Sequence, residues 1–204
     1  MARHKYTPKL LKEVEPPAEL PSGKDWDYEF KWDGWRALPY MLGQKAVLLS
    51  RGGMDITTRY PLVAREIPEA FSGHRVIADG ELIGLKDGHH SLRTLREEGA
   101  LAVLIVFDLM ELDGEPLVDE PLDVRRLALR EVFQQSERIA LSPVFDNPDA
   151  VRTVAKQSGY EGVVAKRKSS LYKQRGNNRD GNWQKLKFEV YDRKLAKYNE
   201  RRRH

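Results

Sequence analysis

From Trp26 onward one strand-like run follows another with turn signals between them, and that succession is what most narrows the possible folds. "DWDYEFKW" alternates, with Trp26, Tyr28 and Phe30 on one face and Asp27, Glu29 and Lys31 on the other. An Asp33-Gly34 turn signal follows, and then "WRALPYMLG" and "KAVLLSR" as two further strands. "RVIADGELIGL" and "LAVLIVFDLMELDG" read as strands, the second closed by an Asp113-Gly114 turn, and "GVVAKR" and "NWQKLKF" complete the pattern. Most of these strands are joined by short turns rather than helical crossovers, which parallel pairing would require. The expected class is therefore α+β with antiparallel sheets, not a doubly wound fold.

Helical patterns are fewer. "RYPLVAREI" reads as a short helix ended by Pro68. "LDVRRLALREVFQQSE" carries an apolar stripe at Val124, Leu127 and Val132, with Asp123 placed as its N-cap. In "NPDAVRTVAKQSG", Asn147 caps, Pro148 takes the first turn and Gly159 ends the helix. The stretch up to about Lys24, rich in proline and charge, is expected to wrap the domain with little regular structure.

Composition excludes several classes. Over 204 residues, 40% apolar and 32% charged, the chain can bury a core and is not of disordered type. Its longest apolar run, "LAVLIVF", falls far short of the roughly 20 residues that span a bilayer. "MARHKYTPKLLKE" lacks the apolar core of a secretory signal, so the expected location is cytoplasmic. With no cysteine, disulfides, thiolate zinc sites and cysteine nucleophiles are all ruled out. A net charge of +4 says little about a polyanionic partner, but basic residues cluster from Lys166 to His204.

The chemistry-bearing residues begin with Lys31. Glu29 projects from the same face, Gly34 permits a close backbone approach, and Arg36 adds a fork of donors suited to phosphate or ribose oxygens. Glu29 favours the ammonium form of Lys31; burial and Arg36 favour the amine that a nucleophile needs. This segment alone leaves a surface lysine and a reactive one both open. In "WQKLKF", Lys185 and Lys187 share a face, and two ammonium groups there call for an anion between them, such as a polyphosphate. Glu81 and Glu161 each sit beside a glycine at a strand boundary; meeting near the lysines, they would suit magnesium. Phe107, just before Asp108, reads from pattern alone as a core residue. There is no Walker-type phosphate loop and no Gly-rich dinucleotide fingerprint.

The order of these pieces resembles the ATP-dependent DNA ligases. "KWDGWR" is similar to their lysine–x–aspartate–glycine–x–arginine motif. "SRGG" from Ser50, "DGE" from Asp79, "VFDL" from Val106, "EGVVAK" from Glu161 and "WQKLK" from Trp183 follow in the family's order. The phrasing is similar to the ligase modules of bacterial end-joining proteins and covers roughly residues 5 to 188. The resemblance implies a nucleotidyltransferase (ATP-grasp-like) domain, with antiparallel sheets and helices around a nucleotide cleft. It implies ATP as AMP donor, magnesium or manganese as metal, and nicked duplex DNA as partner. Lys31 would become the lysyl-AMP, Glu29 would meet the adenine amino group and Phe107 would stack on the ring. Arg36, Arg51 and Glu81 would hold ribose and nick phosphate, Lys185 and Lys187 the α-phosphate, and Glu161 and Glu81 the metal.

Such ligases usually continue into an oligonucleotide-binding (OB-fold) barrel, and the residues after Lys187 are too few for five strands. The expected organisation is an adenylation domain over residues 1–188 and a basic tail over 189–204, without an OB-fold domain. Such a barrel or end-joining proteins in trans are then the further partners, and a monomer is expected. "KQRGNNRDGNW" departs from the family's shorter approach to the last motif and reads as a mobile loop. An RNA ligase or capping-type enzyme, and a binding module dependent on a partner barrel, are the alternatives.

Overall fold

The computed structural model describes residues 5–6, 8–14, 19–42, 45–172 and 180–188, Leu42 by its backbone alone. Of the expected loop at 173–183, residues 173–179 lie outside the described residues and Trp183 already belongs to a strand, and the basic tail at 189–204 lies outside the described residues. In chain order the early elements are β1 (Lys12–Val14), β2 (Trp26–Lys31), β3 (Trp35–Leu42), β4 (Lys45–Ser50), α1 (Pro61–Ala70), β5 (Val76–Lys86) and β6 (His89–Ser91). Then come β7 (Leu101–Leu112), β8 (Glu115–Pro116), α2 (Leu122–Val132), β9 (Ile139–Leu141), α3 (Pro148–Gln157), β10 (Gly162–Arg167) and β11 (Trp183–Lys187). The class is α+β, as expected. Among the described residues no helix is long and apolar enough to cross a membrane.

The chain forms two units, each discontinuous in sequence. The first is built mainly from Asp33–Ser142, joined by residues before Leu10 and after Arg167. Its sheet runs β4-β3-β5-β7-β8, with β6 on β5 and β9 on β7. All of these pairings are antiparallel except β7 with β9. The Asp113-Gly114 turn that closes β7 has positive φ at both residues (52° and 97°), the geometry of a tight hairpin. Val63, Ala64, Ile67 and Ala70 of α1 bury one helical face in this unit's core, together with Leu48, Leu104 and Leu109.

Two helix expectations need correction. Pro68 does not end α1, which runs on to Ala70. Proline forfeits one helical hydrogen bond, and the burial of Ile67 and Ala70 on either side holds the last turn in place. In α2 the inward face is Leu122, Arg125, Arg126, Leu129 and Val132, while Val124 and Leu127 are 44% and 59% exposed. The helix is rotated because Arg125 is drawn inside. Its Nε and Nη2 donate to Asp108 at 2.8 and 2.7 Å, and its Nη1 donates to the carbonyls of Glu120 and Ser170. A buried guanidinium so fully paired can sit where a pattern of apolar residues alone would not put it. Pro121 occupies the N-cap, and Asp123 lies two residues later within the first turn, accepting from the Val124 amide.

The second unit comprises Leu10–Trp32, Pro143–Arg167 and, of the described residues, 180–188. Its sheet order is β1-β11-β10-β2. β10 is antiparallel to both neighbours, and β1 lies parallel to β11. The segment expected to be irregular thus supplies a strand, whose partner lies near the other end of the sequence. Tyr28 and Phe30 of β2 pack with Val163, Ala165 and the Val151 and Ala155 face of α3. Phe30 stacks on Tyr160 with ring centroids 4.0 Å apart. Asn147 caps α3 as expected, its Oδ1 accepting from the Asp149 and Ala150 amides, and Gly159 follows with φ 74°.

Candidate active site

In the second unit Lys31 ends β2 and faces Gly162 in register; Gly162 in turn faces Lys187 on β11. Glu161 stands just before that glycine, and its carboxylate serves both lysines. Lys31 Nζ donates to Glu161 Oε2, while Oε1 lies 3.4 Å from Lys187 Nζ. The glycine has a steric reason: a Cβ on Gly162 would stand 2.0 Å from the Leu186 carbonyl oxygen. Only a residue without a side chain lets β10 and β11 approach so closely.

Lys185, two residues from Lys187 and on the same face, pairs with Glu13 of β1 at 2.7 Å. The hydrogen bond from Lys185 holds the Glu13 carboxyl below its ordinary range. The anion that the two lysines were expected to need is supplied here by carboxylates, Glu13 for one and Glu161 for the other. Glu29 is buried, not solvent-facing, and its carboxylate meets Lys166 of β10.

In the first unit Arg36 of β3 faces Glu81 of β5 in register. Its guanidinium forms a two-pronged pair with the buried Asp79, donates to the Lys9 carbonyl at 3.2 Å, and lies 4.8 Å from the centroid of the Phe107 ring. Burial works against that charge, yet Asp79 outweighs it, and Arg36 holds its proton more tightly than an ordinary arginine. The Tyr172 hydroxyl donates to the same Asp79 carboxylate at 2.5 Å and accepts from the Lys9 amide. Burial and then Asp79 push that hydroxyl well above its ordinary pKa, so it remains a donor.

Phe107 owes its place to an irregularity. Asp79 pairs with Asp108 and Gly80 with Val106, which leaves Phe107 as the extra residue of a β-bulge. Bulges re-aim side chains. Phe107 is accordingly half-buried between the buried Val106 and Asp108, not a core residue. Arg51 is exposed in the turn after β4; its amide donates to the Arg36 carbonyl at 3.2 Å. Gly34 permits the expected close approach, and what it approaches is β5, since a Cβ there would lie 2.5 Å from the Leu82 carbonyl oxygen.

The expected residues therefore fall into two groups, each assembled within its own unit: Glu29, Lys31, Glu161, Lys185 and Lys187 in one, Arg36, Arg51, Glu81 and Phe107 in the other. Among the described residues there is no group of three or more His, Asp or Glu side chains able to hold a metal. Sequence reasoning missed Glu13, Lys166 and Tyr172 as site-supporting residues. Asp79 was within reach, in the "DGE" stretch already singled out for Glu81.

The sequence model of the ATP dependent DNA ligase domain matches residues 7–187. The chain belongs to this family. A DNA ligase of Pyrobaculum neutrophilum is 32% identical over 178 residues, covering 78% of this chain and 30% of that protein. The multifunctional non-homologous end joining protein LigD of Pseudomonas aeruginosa is 31% identical over 195 residues, 90% of this chain and 22% of that one. The chain thus spans less than a third of the length of either relative, and its relatives are archaeal as well as bacterial. Among solved structures, the ligase domain of LigD from M. tuberculosis matches with a TM-score of 0.71 at 25% identity, covering 87% of this chain and 59% of that one.

Proposed function

We propose that residues 1–188 are the adenylation domain of an ATP-dependent DNA ligase, followed by a basic tail at 189–204, acting as a cytoplasmic monomer. The observation that carries this reading is the Glu161 carboxylate shared by Lys31 and Lys187, which stand on the two strands that flank β10 in one sheet. It joins a candidate nucleophile, a phosphate-binding cation and a candidate metal ligand in one constellation.

In the first step Lys31 Nζ, having lost its proton, attacks the α-phosphorus of ATP. A P–N bond forms, the bond from the α-phosphorus to the bridging oxygen breaks, and pyrophosphate leaves with the electron pair. Lys185 and Lys187 exchange their carboxylate partners for α-phosphate oxygens and stabilise the charge that develops there. The 5′-phosphate of a DNA nick then takes the AMP and frees the lysine. Last, the 3′-hydroxyl displaces AMP to make the phosphodiester. Glu29 accepts from the adenine amino group, and in the other unit Phe107 stacks on the base while Arg36, Arg51 and Glu81 hold ribose and nick phosphate. Magnesium fits these donors, because it is commonly held by one or two carboxylates together with water and substrate phosphate. Glu161 in the one unit and Glu81 in the other would each be a carboxylate available to such an ion, which when bound would neutralise phosphate charge.

Incubation with ATP and magnesium followed by intact-mass measurement tests the reading. The expected result is a gain of one AMP, abolished in Lys31→Ala. A chain that neither carries nor gains AMP, and that cannot seal a pre-adenylylated nick, overturns it. All-DNA nicks are expected to seal faster than RNA-containing ones, and an OB-fold domain added in trans is expected to speed the loading step.

A further inference from the structure

Lys166 sits on β10 with 3% of its surface exposed, so its ammonium is sheltered from water. Two partners hold it. Its Nζ lies 2.8 Å from Glu29 Oε1 and 4.4 Å from the centroid of the Trp183 ring. The sheet register explains both contacts. Trp183 of β11 faces Lys166 directly, while on the other side Lys166 faces Asp27 and Val164 faces Glu29, which puts Glu29 on the diagonal. A buried ammonium is tolerated only with such a carboxylate and ring face about it.

Glu29 is equally sheltered, at 2% exposure. A carboxylate taken out of water is driven toward its neutral form, whereas a neighbouring cation drives it toward the charged form. The distinction matters for recognition, because a carboxylate only accepts hydrogen bonds and a carboxylic acid both donates and accepts. An acceptor-only group takes the 6-amino group of a purine and repels a 6-oxo group. A carboxylic acid can satisfy either. A carboxylate has about four acceptor sites, so one ammonium does not exhaust it.

We propose that Lys166 is a positioning residue for base selection: clamped between Glu29 and Trp183, it keeps Glu29 an ionised acceptor and so makes the site choose a 6-amino purine nucleotide over a 6-oxo one. This rests on Glu29 being the residue that meets the adenine amino group. Nothing in the lysyl-AMP chemistry itself requires Lys166, which acts on the base through Glu29 alone.

Calorimetric titration of the purified chain with ATP and with ITP, without divalent metal so that no bond is made, reads the preference directly. The unaltered chain is expected to favour ATP. Lys166→Met should cut the ATP:ITP affinity ratio by about tenfold or more, largely through tighter ITP binding, and Lys166→Arg should keep most of it. In a Glu29→Gln background the methionine should change the ratio no further. A packing defect alone would weaken both nucleotides alike and leave the ratio intact, and that result overturns the inference. If Lys166→Met does not fold, Glu29→Gln/Lys166→Met, which removes both charges, is compared with Glu29→Gln; unequal ratios overturn the inference. A Glu29→Gln ratio equal to that of the unaltered chain sinks the reading of Glu29 itself, as does binding of neither nucleotide. A ratio lowered by Glu29→Gln but untouched by Lys166→Met sinks only the role of Lys166.

Discussion

Gly162→Ala is the smallest change that separates the candidate catalytic lysines from their shared carboxylate. The new Cβ would stand 2.0 Å from the Leu186 carbonyl oxygen, 3.0 Å from the Leu186 carbonyl carbon and 3.0 Å from the Lys187 Cα. Ordinary contact begins at 3.4 Å, so the nearest atom must retreat by 1.4 Å, and all three obstacles are backbone. Neither strand can yield alone, because Gly162 is in register with Lys31 on one side and Lys187 on the other. Over-packing of this kind costs about 1–3 kcal/mol, and stretching one or two ladder hydrogen bonds adds about 1 kcal/mol each, so a loss of about 3 kcal/mol is expected. Urea unfolding measures it, and AMP loading should fall with the displacement of Glu161 from Lys187. Gly52→Ala is the control, since a Cβ there meets nothing within 4 Å and stability should stay within about 0.5 kcal/mol. A Gly162→Ala protein with unchanged stability and unchanged loading would refute the argument that this glycine is there for close strand approach.

Three further outcomes follow from particular contacts. Arg125→Met removes the ion-pair partner of the buried Asp108 and the donor to the Glu120 and Ser170 carbonyls, and should lower urea stability by about 3–5 kcal/mol, whereas Asp108→Asn combined with it should recover part of the loss. Burial raises the Glu111 carboxyl but hydrogen bonds from Lys5 and Tyr6 outweigh it, leaving the group below its ordinary value. It therefore holds fewer protons folded than unfolded, so the stability gap between the unaltered chain and Glu111→Gln, about 1 kcal/mol at pH 7, should close below about pH 4. Glu13→Gln releases Lys185 from a half-exposed pair, and ATP should bind about threefold more tightly by calorimetry.

How far the sequence could be read depended on whether each signal was local. Asn147, Pro148 and Gly159 specify α3 by residues that touch one another, and the alternation from Trp26 to Lys31 marks β2 in the same way. The ends of β10 and the side chains Lys31, Glu161, Lys185 and Lys187 were likewise legible, because a motif in the sequence is a motif on a strand. What escaped depends on distant partners. Nothing within "LKEVE" says that β1 will pair with β11, or that Glu13 will meet Lys185. The bulge at Phe107 exists only in the pairing of β5 with β7. The face of α2 was misread because Arg125 counts as polar until Asp108 and two carbonyls are found waiting for it.

The pairing of β1 with β11 also sets a timetable. Lys12 lies opposite Gln184, 172 residues later in the chain. At a synthesis rate of roughly 5–20 residues per second, β1 leaves the ribosome about 10–30 s before its partner does. β10 can join β2 earlier, but until β11 arrives its other edge is an open row of amides and carbonyls, the kind of edge that recruits stray strands. The same delay guards the chemistry. A nascent chain carries Lys31 for 156 residues before Lys187 is made, and the strand that ends the exposure of β10 is the one that delivers the second cation to Glu161.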